Sequence, residues 1–157
     1  MTEARSALAR WAPIPLRLIV GFGFVQHGLA KLSRGPDAFA VILHALGVPA
    51  PHLMAWVSIL IELLGGLAVL LGAFLTLASI PMAILLLVAV FTVHLPNGFS
   101  STAGPQFGPV GYEVNLLYLA SLAGLVLGGA GPFALGAFLQ ARNEPSARRV
   151  YRPAGSP

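Results

Sequence analysis

Leu53-Met54-Ala55-Trp56-Val57-Ser58-Ile59-Leu60-Ile61-Glu62-Leu63-Leu64-Gly65-Gly66-Leu67-Ala68-Val69-Leu70-Leu71-Gly72-Ala73-Phe74-Leu75 is an apolar run whose single ionisable residue, Glu62, stands near its middle. At the rise of an α-helix the run is about 34 Å long, enough to cross a hydrocarbon core of about 30 Å. A carboxylate at that depth costs on the order of 2.5–3.5 kcal/mol on insertion scales, so Glu62 needs a partner or a proton. The other polar residues set inside or at the ends of apolar runs are Arg17, His27, Lys31, His94 and Glu113, and these are the partners to expect. The chain reads as a small helical membrane protein that holds such groups together.

Composition points the same way. Charged residues make up 9% of the 157 and apolar types 57%, with a mean hydropathy of +0.84. A soluble domain carries roughly 25% charged residues, and a soluble fold of this length could not hide so much apolar surface. The length suits one domain of the membrane class. The absence of cysteine excludes a thiol-disulfide relay, a thiolate metal site and a cysteine-ligated iron-sulfur cluster within this chain. Redox chemistry here must use a bound cofactor or a partner.

The basic residues gather at the ends. Arg5, Arg10 and Arg17 precede or open the first apolar run, and Arg142, Arg148, Arg149 and Arg152 follow the last, against Glu3 and Glu144. Between them Lys31 and Arg34 balance Asp37 and Glu113. The positive-inside rule then sets both termini in the cytoplasm, which demands an even number of spans. A few arginines beside membrane spans are ordinary topology signals, so no nucleic-acid partner is expected.

Four spans follow, at about 14–32, 51–74, 76–94 and 113–134. Residues 1–12 resemble the n-region of a signal peptide, but Arg17 inside the apolar run argues for a retained first span. With Arg17 at 0° and a step of about 100° per residue, Phe24, Lys31 and His27 fall at roughly −20°, −40° and −80°, on one face. Between spans one and two, Phe39, Ile42, Leu43 and Leu46 have the spacing of a short amphipathic helix at the outer interface. In the second span Ala55, Ser58, Glu62, Gly66 and Val69 lie within roughly 40° of one line, with Gly65 beside them, so the Glu62 face is also the face for close helix packing. The connection from Leu95 to Tyr112 is rich in glycine and proline and long enough to cap the outer end of the bundle. The membrane domain covers 1–139, and 140–157 reads as a basic, disordered cytoplasmic tail.

The expected architecture is therefore an all-α, four-helix transmembrane bundle with a short outer interfacial helix, in a bacterial cytoplasmic membrane. His27, Lys31, Glu62, His94, Glu113 and Asn115 then converge on an outer-half cavity, with Glu62, His27 and Lys31 as the catalytic candidates. Three readings fit such a set. A quinone site would use histidine or lysine as donor to a carbonyl and a carboxylate to pass protons. A histidine and carboxylate metal site, or a haem held by two histidines, uses the same residue types without any local ligand spacing. A structural ion-pair network would lock the bundle without chemistry. His27 also has an ordinary reading as hydrogen-bonded packing, Lys31 and Glu113 as snorkelling residues, Arg17 as a topology anchor or buried partner, and Tyr118 and Trp56 as interface or core aromatics.

Several stretches in order resemble the DoxX family of small four-span membrane proteins: Arg17-Leu18, Phe24-Val25-Gln26-His27-Gly28-Leu29-Ala30-Lys31-Leu32, Glu62-Leu63-Leu64-Gly65-Gly66 with Gly72, Pro96-Asn97-Gly98-Phe99, Gly111-Tyr112-Glu113 and Gly129-Ala130-Gly131. Where the family usually carries a Ser-Leu-Asp-like segment this chain has Phe133-Ala134-Leu135-Gly136, without the aspartate. The resemblance implies a membrane subunit of a redox-associated system, similar to the small subunit of thiosulfate:quinone oxidoreductase, with quinone as cofactor. Its expected partners are membrane lipid, protein subunits of a redox complex and further copies of itself. A scaffold or assembly subunit is the competing class, and a transporter a third, less suited because one four-span unit has no second half to rock against.

Overall fold

The computed structural model describes residues 7–102, 108–136 and 138. The expected tail at 140–157 and the tip of the outer connection at 103–107 lie outside them. Among the described residues the chain is helical. Helix α1 spans Pro13–Arg34, α2 Pro36–Ala45, α3 Pro51–Leu71, α4 Leu75–Asn97 and α5 Glu113–Gly128. Prolines in the first turn open α1, α2 and α3, where a missing N–H costs nothing.

The breaks between helices are written in glycine. Gly35, at φ 95°, separates α1 from α2, and Gly72, at φ 66°, ends α3 in the left-handed conformation that glycine adopts without steric cost. Helix α5 ends at Gly128, six residues short of the expected limit, because Gly129 and Gly131 have φ of 78° and 68° and Pro132 follows. Its 16 residues reach about 24 Å, whereas Ala7–Arg34, Pro51–Leu71 and Leu75–Asn97 are each long and apolar enough to cross a bilayer.

Helices α1 and α3 pack along each other, α4 lies against α5 and the middle of α3, and α5 returns beside α1. The chain thus runs up and down the bundle four times. Its centre is Val20, Phe24, Val69, Leu75, Met82, Leu86, Leu122 and Leu125. Outward stand Leu18, Phe22, Leu64, Leu67, Leu77, Ile84, Phe91 and Leu117, all exposed. A belt of that size is far larger than a soluble monomer tolerates and suits hydrocarbon, so the chain is an integral membrane protein.

Two glycines decide how α1 meets α3. A Cβ on Gly21 would stand 2.7 Å from the Gly66 carbonyl oxygen, and one on Gly66 would stand 2.8 Å from that of Gly21. Backbones therefore touch at this crossing, which draws the remaining side chains of the two helices within reach of each other. Ala55, Ser58, Glu62, Gly65, Gly66 and Val69 of α3 are all buried, as their common line predicts. On α1 the buried line is Arg17, Val20, Gly21, Phe24 and Gly28, with Lys31 half-buried. His27 departs from the expectation of a shared inward face. It lies at the edge and is exposed, because the seam with α3 is centred on Phe24 and Gly28, roughly 60° and 100° round the helix from it. Helix α2 likewise packs through Phe39, Ala40 and Leu43, leaving Ile42 and Leu46 exposed.

Candidate functional site

Lys31 and Glu62 form the only ion pair between spanning helices among the described residues. Lys31 Nζ donates to Glu62 Oε1 at 2.6 Å. The carboxylate side chain is 7% exposed and the lysine 24%, so the acid is sealed while its partner keeps a path outward. The Phe39 ring of α2 covers the ammonium at 4.7 Å from its centroid, a cation–π contact. Gly28 makes room for this meeting: a Cβ there would lie 2.8 Å from Leu63 and 3.2 Å from Glu62 Cβ.

The pairing is incomplete. Glu62 Oε2 is buried without a hydrogen-bond partner, a condition it shares among the described residues with Ser79 Oγ. A buried carboxylate oxygen with no donor is an unmet acceptor, and it is costly. It is also placed by an irregular element, since Ile61–Gly65 form a π-helical turn inside α3. Such bulges rotate one side chain out of the regular register and are frequent at functional sites. A second π turn, Val90–His94, ends α4 and carries His94. Hydropathy and periodicity gave no signal of either turn.

The His27 ring meets Tyr118 edge-on at 6.3 Å between centroids. Tyr118 also packs against Phe24 at 5.3 Å and rests its hydroxyl against Gly23. This tyrosine of α5, which the sequence placed among ordinary aromatics, is the side chain that brings the fourth helix to the His27 side of the site. Asn115, one turn earlier, is buried.

His94 and Glu113 are engaged elsewhere. His94 Nδ1 is 3.0 Å from the Val110 carbonyl oxygen, which also accepts from Asn97 Nδ2 at 3.1 Å. Glu113 Oε2 accepts from the Ser101 amide at 3.1 Å, and Ser101 Oγ accepts from the Val114 amide at the start of α5. The Tyr112 and Glu113 amides donate to the carbonyls of Gly98 and Phe99. The Pro96-Asn97-Gly98-Phe99 and Gly111-Tyr112-Glu113 stretches thus tie to each other and close the described part of the outer connection. No group of three or more histidine, aspartate or glutamate residues gathers as a metal-holding set among the described residues.

At the opposite end Arg17 is buried and held by backbone carbonyls. Its Nε donates to Val69 O at 3.2 Å, Nη2 to Leu70 O at 2.8 Å, and Nη1 to Ala130 O at 2.8 Å and Pro132 O at 3.3 Å. The first two carbonyls belong to the last turn of α3, where a helix leaves acceptors unpaired and its dipole favours a cation. The contacts to Ala130 and Pro132 bring the end of α5 back to the start of α1. Two cavities of about 430 and 810 Å³ lie at this end, lined by Arg17, Leu70 and Phe133 and by Phe74, Leu125 and Gly131 among others. Neither is lined by Glu62, Lys31, His27 or His94.

Comparison with known proteins agrees with this architecture. The family model DoxX matches residues 12–95, which hold α1 to α4 and so Lys31 and Glu62. An "Uncharacterized protein" of Haemophilus influenzae is 31% identical over 122 residues, covering 76% of this chain and 84% of that protein. A Bacillus subtilis protein named "Putative oxidoreductase CatD" is 32% identical over 124 residues, covering 79% and 84%. No solved structure matches the chain. With the family model spanning more than half of the sequence and two relatives aligned over most of their length, the protein is a member of the DoxX family.

Proposed function

We propose that the protein is the membrane subunit of a redox complex and binds quinone beside the Lys31–Glu62 pair. The observation that carries the reading is the unmatched Glu62 Oε2, a buried acceptor held by a π turn next to an ammonium. The donor set fits a quinone: Lys31 supplies N–H groups for a carbonyl, Glu62 accepts from a hydroxyl, and Phe39 and Tyr118 offer aromatic faces. A quinone supplies reversible two-electron, two-proton chemistry when bound. The chain's own part is to orient the ring and to hold a proton at Glu62, with Lys31 hydrogen-bonded to the other carboxylate oxygen. The name carried by the Bacillus subtilis relative is consistent with redox work. In this reading both termini face the cytoplasm of a bacterial cell and Glu113 and His94 the outer side, which the basic ends support through the positive-inside rule.

The test is binding by the purified chain in lipid nanodiscs. Wild-type protein is expected to retain a co-extracted quinone or to bind an added short-chain one, and Glu62→Gln, measured well below its melting temperature, to weaken that binding about tenfold, the loss of one charge-assisted hydrogen bond. Reporter fusions after Pro157 and in the outer connection check the orientation. A scaffold role is the second reading. It is favoured by the cavities lying at the Arg17 end. Quinone-free protein that binds none, and whose Glu62→Gln form supports full activity of its complex, would establish it in place of the first.

A further inference from the structure

Gln26 stands where a membrane protein should not put it. It is exposed, and among the described residues no hydrogen bond engages its amide. Its depth follows from the helix crossing: Gly21 meets Gly66 and Leu70, and Gly28 meets Glu62 and Leu63, so Gln26 is level with about residue 64 of α3. That is about 20 Å from Pro51 and about 10 Å from Leu71 along the helix, inside the apolar core. A glutamine side chain is too short to reach water from there, and hydrocarbon offers neither donor nor acceptor.

The neighbours of Gln26 on this face have a definite spacing. Ile19, Phe22, Gln26, Leu29 and Ser33 follow one another at alternating intervals of three and four, the repeat of a coiled-coil seam. Ile19 is 61% exposed, Phe22 56% and Leu29 44%, so the whole seam is open. It lies on the side of α1 opposite to Arg17, away from α3 and α5.

We propose that α1 pairs with α1 of a second copy of this chain along the Ile19–Ser33 seam, with the two Gln26 amides hydrogen-bonded across a two-fold axis. The occupant is a second copy because the amide is self-complementary. Each Gln26 has one carbonyl and one N–H₂, and parallel packing about an axis along the membrane normal sets two identical amides at one depth, each donating to the other. Small polar side chains in this role hold helices together in hydrocarbon, and a single polar residue among apolar seam positions fixes the register. The proposal concerns the outside of the bundle and is independent of the Lys31–Glu62 site.

Because the chain has no cysteine, single cysteines can be introduced one at a time for cross-linking of the full chain in lipid vesicles. Phe22→Cys and Leu29→Cys are expected to form covalent dimers. Leu77→Cys, Ile84→Cys and Phe91→Cys, on the exposed face of α4, are expected to stay monomeric. Fluorescence transfer between labelled copies on dilution into phosphatidylcholine vesicles measures the affinity. Gln26→Leu should lower it about tenfold and Gln26→Asn should recover most of it, with melting of the monomer unchanged. Equal cross-linking from α4 and α1, trapping of a different protein by Phe22→Cys, or an affinity indifferent to Gln26→Leu would each overturn the proposal.

Discussion

Arg17 and Glu62 are both charged, both buried, and both sit where α1 meets α3, yet the bundle treats them in opposite ways. Arg17 spreads its charge over four carbonyl oxygens from two helix ends, so it acts as a fastener between them. Glu62 has one cation on one oxygen and nothing on the other. A group satisfied by many weak acceptors has no capacity to spare. A group satisfied on one side only has an acceptor left over, and the difference separates an end fastened through backbone from a middle that holds an open acceptor.

The largest effect is expected at the structural end. Arg17→Leu would take a donor from the carbonyls of Leu70, Ala130 and Pro132 and leave Val69 O with only the Gly72 amide, and should destabilise the bundle by about 4 kcal/mol, read as thermal unfolding in detergent. Arg17→Lys, a point charge without the planar fork, should recover less than half of this loss. If Arg17→Leu melts like wild type, the two ends of the bundle do not differ in the way described.

Next comes Lys31→Met, which leaves the Glu62 carboxylate sealed without its cation. The loss should be about 3 kcal/mol, and the double variant with Glu62→Gln should be more stable than Lys31→Met alone. A double-mutant cycle checks it, and additive losses would dissolve the pair as an energetic unit. Between the two regions, Gly66→Ala sets a Cβ against the Gly21 carbonyl and Val25 amide and should cost about 2 kcal/mol as the helices part. Because that parting widens the Lys31–Glu62 approach, quinone affinity in nanodiscs should fall in step with stability. The smallest effect belongs to the exposed pair Asp37–His52, 3.3 Å apart at 93% and 73% exposure. Asp37→Asn should leave the melting temperature unchanged within error, since solvent screens such a pair.

Much of the bundle can be read without coordinates because hydrocarbon imposes a simple rule on sequence. Apolar length sets the spans, and the alternation of prolines with left-handed glycines sets their ends to within a few residues. The common face of Ala55, Ser58, Glu62, Gly66 and Val69 is legible for the same reason, since a helical period leaves few faces to choose from. Periodicity gives no sign of the π turns at Ile61–Gly65 and Val90–His94, because Gly66 and Val69 beyond the first of them still fall on the same buried line.

The amino-acid order alone therefore determined a membrane bundle, its turns and the list of stranded polar groups, because burial in lipid acts on each residue separately. Which of those groups meet was decided only by the tertiary structure. Lys31 reaches Glu62 because Gly21, Gly28 and Gly66 let two backbones touch, while His94 and Glu113 turn to the outer connection and Arg17 to the ends of α3 and α5. Pairing depends on distances between helices, and these are set by small residues far from the charges they bring together.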